Sequence, residues 1–278
     1  MERKKLGRTL YLTIIWMIVI LVALVSATYA WFSFSPFTNV TPMSGNVGEG
    51  SVNLLISNQK NGKFDRECKL ILESTGEVLS PMSTANLSRF YISKAQNRKG
   101  ISILFADASG QANSKAMHGK VYLKSDNGNC DVYLRRSGLS FGQNSQTLAA
   151  LRLGLKISAS DGNHTYILQL DDLGNTGSAE AKRTVASANS VISSVDGKGN
   201  ATFVKDPSLN IGRFLAKEQG ADDQEPRAGD SALCRIRAGE TATVEYWLYL
   251  EGCDNNCIGD VQNKDINLKL SFSGVVVD

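Results

Sequence analysis

The sequence predicts a mostly all-β protein: an antiparallel jelly-roll or Greek-key β-sandwich with one or two short helices, behind an N-terminal signal or transmembrane helix. Three observations predict it. From Gly50 onward, short runs alternate apolar and polar residues. Gly, Asn, Asp and Ser separate those runs, and one uncharged apolar stretch, residues 10–27, precedes them all. Period-two alternation rich in Val, Ile, Leu and Tyr marks strands with one buried face.

In chain order, the first eight residues, "MERKKLGR", carry Arg3, Lys4, Lys5 and Arg8 against Glu2, and the next charge is Glu49. A basic flank before an uncharged apolar run is the layout of an export signal. The 18 residues "LYLTIIWMIVILVALVSA" (10–27) stand at the lower edge of a bilayer span and are slightly long for a signal-peptide core. Small side chains at Ala27, Thr28 and Ala30 favour cleavage between Ala30 and Trp31 by signal peptidase over a retained anchor. If retained, the basic flank stays cytoplasmic. In both cases the membrane is met during export, and residues 31–278 are expected outside, at the cell surface or extracellular.

Export changes the charge balance. The chain has 30 basic and 27 acidic residues; residues 1–30 hold four of the bases and one of the acids, so 26 of each remain. A neutral body without a run of Lys and Arg does not fit a nucleic-acid binder. The exported part is long enough for one sizeable core, as a large sandwich or two modest domains; the reading adopted is a single β-sandwich domain over residues 51–278.

Residues 31–50, "WFSFSPFTNVTPMSGNVGEG", open with four aromatics in seven residues, Trp31, Phe32, Phe34 and Phe37. Exposed to water, this strip would associate. It is expected to pack on its own domain, to rest at the membrane interface, or to add as a strand to a neighbouring subunit's open edge.

Nine runs then read as strands: "SVNLLIS" (51–57), "KLILE" (69–73), "ISILFA" (101–106), "GKVYLKS" (119–125), "CDVYLRR" (130–136), "LRLGLKIS" (151–158), "HTYILQL" (164–170), "TATVEYWLYLEG" (241–252) and "INLKLSFSG" (266–274). Two hairpins are predicted, one around "DNGN" with Gly128 supplying a positive φ, the other around "SDGN". In "VEYWLYLEG", Val244, Tyr246, Leu248 and Leu250 share one face; Trp247 and Tyr249 share the other, which is either covered or an exposed platform for carbohydrate. Helix signals are few. "STANLSRFYISKAQNRKG" (83–100) has a Ser/Thr start, helical spacing of Leu87, Phe90 and Tyr91, and a Gly stop; "NIGRFLAKEQG" (210–220) is shorter. Residues 171–230 read as long exposed loops or weak strands.

No catalytic, cofactor or metal constellation is expected. "GLSFG" matches G-x-S-x-G at Ser140, but the elbow needs a strand-to-helix turn with an acid and a histidine downstream, and Asp161 and His164 lie only three residues apart in a predicted hairpin. The motif "SNQK" (57–60) with "SDN" (125–127) lacks the Lys-Thr-Gly strand of its enzyme class. The histidines, His118 and His164, read as solvated loop residues. "DNNCIGD" (254–260) offers oxygens for calcium without the EF-hand order. The five cysteines, Cys68, Cys130, Cys234, Cys253 and Cys257, are an odd number, and "CDNNC" could close a small Cys253–Cys257 loop.

"SATYAWFS" followed by "GEGSVNLLIS" resembles the export signal and first strand of the TasA/camelysin family of Gram-positive bacteria, and "ATVEYWLYLEGCDNNCIGD" with "INLKLSFSG" resembles the closing strands of its members. These motifs lie at the two ends of the chain. The resemblance implies cleavage by a dedicated signal peptidase before the aromatic start. It also implies a jelly-roll structural protein of the cell surface or biofilm matrix, which in some members polymerises into fibres by donating an N-terminal strand to copies of itself or to related matrix subunits. Camelysin has been described as a metallopeptidase; no ligand cluster in this sequence supports that activity here. Two other classes compete with the structural protein: a surface adhesion or carbohydrate-binding module and a surface hydrolase at Ser140.

Overall fold

The computed structural model describes residues 44–47, 54–71, 79–96, 103–141, 145–170, 190–217, 227–254, 257 and 266–277. The signal or anchor segment, the cleavage pair Ala30 and Trp31, and the assembly residues Phe32, Phe34 and Phe37 lie outside them.

Alternation becomes pairing throughout the described chain. The first strands are β1 (Ser44–Val47), β2 (Leu54–Ser57), β3 (Glu67–Lys69), β4 (Pro81–Met82), β5 (Tyr91–Gln96) and β6 (Ile103–Asp107). The middle supplies β7 (Met117–Ser125), β8 (Cys130–Leu134), β9 (Leu151–Ala159), β10 (Gly162–Gln169), β11 (Ser190–Val195) and β12 (Ala201–Lys205). Last come β13 (Leu209–Asn210), β14 (Cys234–Ile236), β15 (Thr241–Glu251) and β16 (Lys269–Val276). Each of the nine predicted runs overlaps one of these strands, "KLILE" only at Lys69.

One sheet runs β14-β8-β16-β1-β3; a larger one runs β13-β10-β9-β15-β7-β2, with β4 beside the end of β15. Pairing is mostly antiparallel, and the parallel exceptions are β1 with β16, β13 with β10 and β4 with β15. Two further hairpins, β5–β6 and β11–β12, form separate two-stranded sheets.

The spine is β15, hydrogen-bonded along its length to β9 and β7. Its inner residues Val244, Tyr246, Leu248 and Leu250 join Val132, Leu134, Ile236, Leu270 and Phe272 of the five-stranded sheet in one core. Each such side chain contributes roughly 1.5–3 kcal/mol by leaving water. Gly119 faces Tyr246 across the β7–β15 ladder, and a Cβ there would run into the tyrosine hydroxyl.

The outer face of β15 is also covered. Trp247 and Tyr249 are 5% and 0% exposed, beneath Met82, Leu87, Phe90, Ala112, Ala116 and Ile167. Phe90 meets Tyr249 edge-on at 5.9 Å. These aromatics therefore form a second core and present no platform to a carbohydrate.

Three sequence expectations are corrected. β9 and β10 do form a hairpin, turning through Ser160 and Asp161 with Gly162 at φ 127°, but β7 and β8 do not. They belong to opposite sheets, and the "DNGN" turn carries the chain across the core. Among the described residues the positive φ values fall on Leu87, Gly162, Gly199 and Gly239, not on Gly128. Alternation buries one face equally well in a hairpin or across an arch, so the pattern alone does not choose between them.

The helix over residues 83–100 is instead a turn followed by β5. Thr84 Oγ1 accepts from Leu87 N at 3.0 Å, and Asn86 Oδ1 accepts from Ser88 N and Arg89 N. Side chains that satisfy backbone donors in this way compete with a helix. The candidate at 210–220 forms only a 3-10 turn, Ile211–Phe214, capped by Asn210 Oδ1 accepting from Gly212 N. Within the stretch read as loops, residues 190–205 form the β11–β12 hairpin; residues 171–189 and 218–226 lie outside the described residues. The four-residue helix Ala112–Lys115 and the six-residue helix Ser145–Ala150 arise where no helix was predicted.

Leu87, at φ 56°, lays its methyls over Gly154 of β9, where an added Cβ would stand 2.6 Å from Leu87 Cδ2. Gly154→Val should therefore lower the unfolding free energy by roughly 1–3 kcal/mol through overpacking. Urea denaturation checks this as a lower midpoint at unchanged m-value.

Candidate functional site

Arg152 is the one charged residue in the apolar run "LRLGL", and β9 places it at 1% exposure. Its Nη1 donates to the carbonyls of Ala149 and Leu151 at 2.9 and 3.0 Å; its Nη2 donates to Asp254 Oδ2 at 2.6 Å and reaches Asp206 Oδ2 at 3.5 Å. Burial alone would push its pKa down, but the adjacent Asp254 and Asp206 charges more than offset this and leave it raised. Glu251, the last residue of β15, is 2% exposed beside this group, and Cys253 N donates to its Oε1 at 3.1 Å. Desolvation raises its pKa to about 7, against the opposing pull of Ser83.

The same cluster roots both small hairpins. Ser83 Oγ accepts from Ile192 N of β11 at 3.0 Å, and the Ser83 and Tyr91 backbones exchange two 2.9 Å bonds at the start of β5. Asp206 immediately follows β12. Tyr91 OH donates to Ser193 O at 3.1 Å and Phe105 N to Gly199 O at 2.8 Å, so each hairpin holds the other. At Gly199, φ is 88° and an added Cβ would be 3.3 Å from Leu104 Cβ and Phe105 O. Glycine is what lets the two hairpins dock this closely.

Between them lies a cleft of about 440 Å³ lined by Arg89, Tyr91, Lys94, Phe105, Val195 and Lys198. The β5–β6 register shifts between Ser93 and Ala95, so Lys94 sits on a bulge, a device that re-aims a side chain. Lys198 stands in the turn closed by Gly199 N donating to Asp196 O at 3.0 Å. Two acids, Asp107 and Asp196, also border the cleft. Asp196 accepts from Asn200 Nδ2, Asn200 N and Lys198 N at 2.8–2.9 Å, and Asp107 accepts from Ser109 N at 2.8 Å. Hydrogen bonds from Asn200 and Ser109, respectively, lower both pKa values. Their oxygens are thus engaged by their own turns. Among the described residues neither lysine nor Arg89 closes an ion pair.

The residues singled out from sequence fall elsewhere. Ser140 Oγ donates to Asn267 Oδ1 at 2.6 Å and its backbone bridges Lys269, which gives no nucleophile elbow. His164 pairs with Asp161 at 3.0 Å across the β9–β10 turn. His118 is buried rather than solvated, with Nε2 2.9 Å from Glu245 Oε1 and its ring stacked on Trp247 at 4.8 Å. The hydrogen bond to His118 is the main cause of the lowered Glu245 pKa. All five cysteines are free thiols in this structure, Cys253 and Cys257 included. Burial pushes Cys253 and Cys257 up to about 12 and Cys68 up to about 11, which keeps them protonated. Among the described residues no group of three or more His, Cys, Asp or Glu is arranged to hold a metal ion, and no helix is long and apolar enough to cross a membrane.

Sequence reasoning missed the cleft because its walls join the strand run 101–106 to a stretch read as helix and one read as loops or weak strands. A signal was present: Asp196-Gly197 between "SVISSV" and "ATFVK" has hairpin-turn composition. No family model, curated protein or solved structure matches this chain.

Two outcomes follow from the buried cluster. Arg152→Met leaves Asp254 and Asp206 buried without their cation and should cost about 3–5 kcal/mol in a chemical denaturation experiment. Glu251, with its folded pKa raised to about 7 from 4.5, binds its proton more tightly in the folded state than in the unfolded state. Its contribution to stability is therefore largest below pH 4.5 and is lost as pH rises to about 7. Glu251→Gln should flatten the fall in melting temperature between pH 5 and 7, read by calorimetry.

Proposed function

We propose that this chain is a non-enzymatic exported protein of the cell surface or extracellular matrix, a jelly-roll of the TasA/camelysin type that self-assembles through its aromatic N-terminal segment. The carrying observation is the position of β1. This four-residue strand is inserted between β16 and β3, parallel to β16 in the register Ser44↔Lys269 to Val47↔Phe272. It follows the aromatic residues 31–37 by only a few positions. Gly45, at its centre, is buried where an added Cβ would stand 2.9 Å from Ile56 Cδ1 and 3.1 Å from Leu70 Cδ2.

With β1 paired in its own sheet, the aromatic segment that precedes it in sequence is the part proposed to add to a neighbouring subunit, with backbone bonds supplying the affinity. The export reading rests on the basic flank and apolar run at the N-terminus. The non-enzymatic reading is supported by Ser140 donating to Asn267 and by thiols held protonated.

Deleting residues 31–40 should leave a folded monomer that no longer polymerises, as read by electron microscopy and sedimentation. A truncated protein that still forms fibres would rule out strand donation.

A further inference from the structure

We propose that the cleft between the β5–β6 and β11–β12 hairpins binds an acidic sugar residue of a polysaccharide, with Lys94, Lys198 and Arg89 meeting its carboxylate or phosphate. No residue of this site belongs to the proposed assembly segment, and the inference goes beyond the structural role.

Three features converge on it. The cations come from three separate places: Arg89 before β5, Lys94 on the β5 bulge and Lys198 in the β11–β12 turn. Their convergence depends on a glycine at Gly199 and on hydrogen bonds that lock one hairpin to the other. Asp196 is engaged by Lys198 N and Asn200 and Asp107 by Ser109, while the Arg89 charge also acts on Asp107; among the described residues no ion pair closes on Lys94, Lys198 or Arg89, so all three can meet an incoming anion.

Size and walls select the ligand class. The volume of about 440 Å³ greatly exceeds that of one phosphate and falls in the range of small-molecule sites, roughly 300–1,000 Å³. Tyr91, Leu104, Phe105 and Val195 supply apolar wall against which the C–H face of a sugar ring can rest. Beyond Phe105, the half-exposed Phe203 meets it edge-on at 6.0 Å and extends that apolar surface outward. Three cations in a chain whose exported part is neutral do not make the basic stripe that a nucleic-acid backbone needs.

The test is calorimetric titration of the full chain in detergent micelles with trigalacturonate, glucose 6-phosphate, cellotriose, inorganic phosphate and triglutamate. Binding of trigalacturonate or glucose 6-phosphate is expected, at least tenfold tighter than cellotriose and weakened by salt. Lys94→Gln with Lys198→Gln should weaken it a further tenfold or more, whereas Lys94→Arg should retain it; these exposed positions leave the core untouched. Inorganic phosphate or triglutamate binding as tightly as the sugars would overturn the saccharide assignment. No binding by either acidic sugar, or binding unchanged in the double variant, would overturn the site itself.

Discussion

Arg152 stays charged inside the protein only while Asp254 and Asp206 stay beside it, and much of one end of the sandwich is arranged around that demand. A guanidinium removed from water loses several kcal/mol of hydration, which its partners must restore. Meeting this need brings together β9, the turn after β15 and the residue that follows β12, three parts of the chain far apart in sequence. Glu251 and Ser83 extend the polar group to β11 and β5. The small hairpins are therefore fastened to the sheet through a polar cluster, while the two large sheets are held together by apolar packing.

This division has a functional consequence. The apolar core is closed on both faces of β15, so the aromatic strand that invites a binding role from its sequence is structural. Among the described residues, the exposed Phe203 and Val204 and the cleft with its three cations lie on the hairpins, while the exposed Ile71 and Val276 lie elsewhere. The N-terminal strand β1 is the other distinctive feature, since it closes the five-stranded sheet between the last strand and an early one.

The alternating runs determined by themselves that the chain would be strand-rich and which residues of β15 would face inward, because period-two burial is local. They also determined the β9–β10 hairpin, whose two-residue turn, Ser160–Asp161, runs into Gly162 at φ 127°. Only the tertiary structure decided the rest. Whether β7 and β8 pair or cross the core depends on β15 and β16 competing for their edges. Whether Leu87, Phe90 and Tyr91 wind into a helix depends on Trp247 and Tyr249 needing a cover and on the Thr84 and Asn86 side chains bonding the local backbone. The partners of Arg152 stand 54 and 102 residues away, and the cations of the cleft meet across two hairpins. Such pairings arise from folding distant segments together, and no local pattern of residues encodes them.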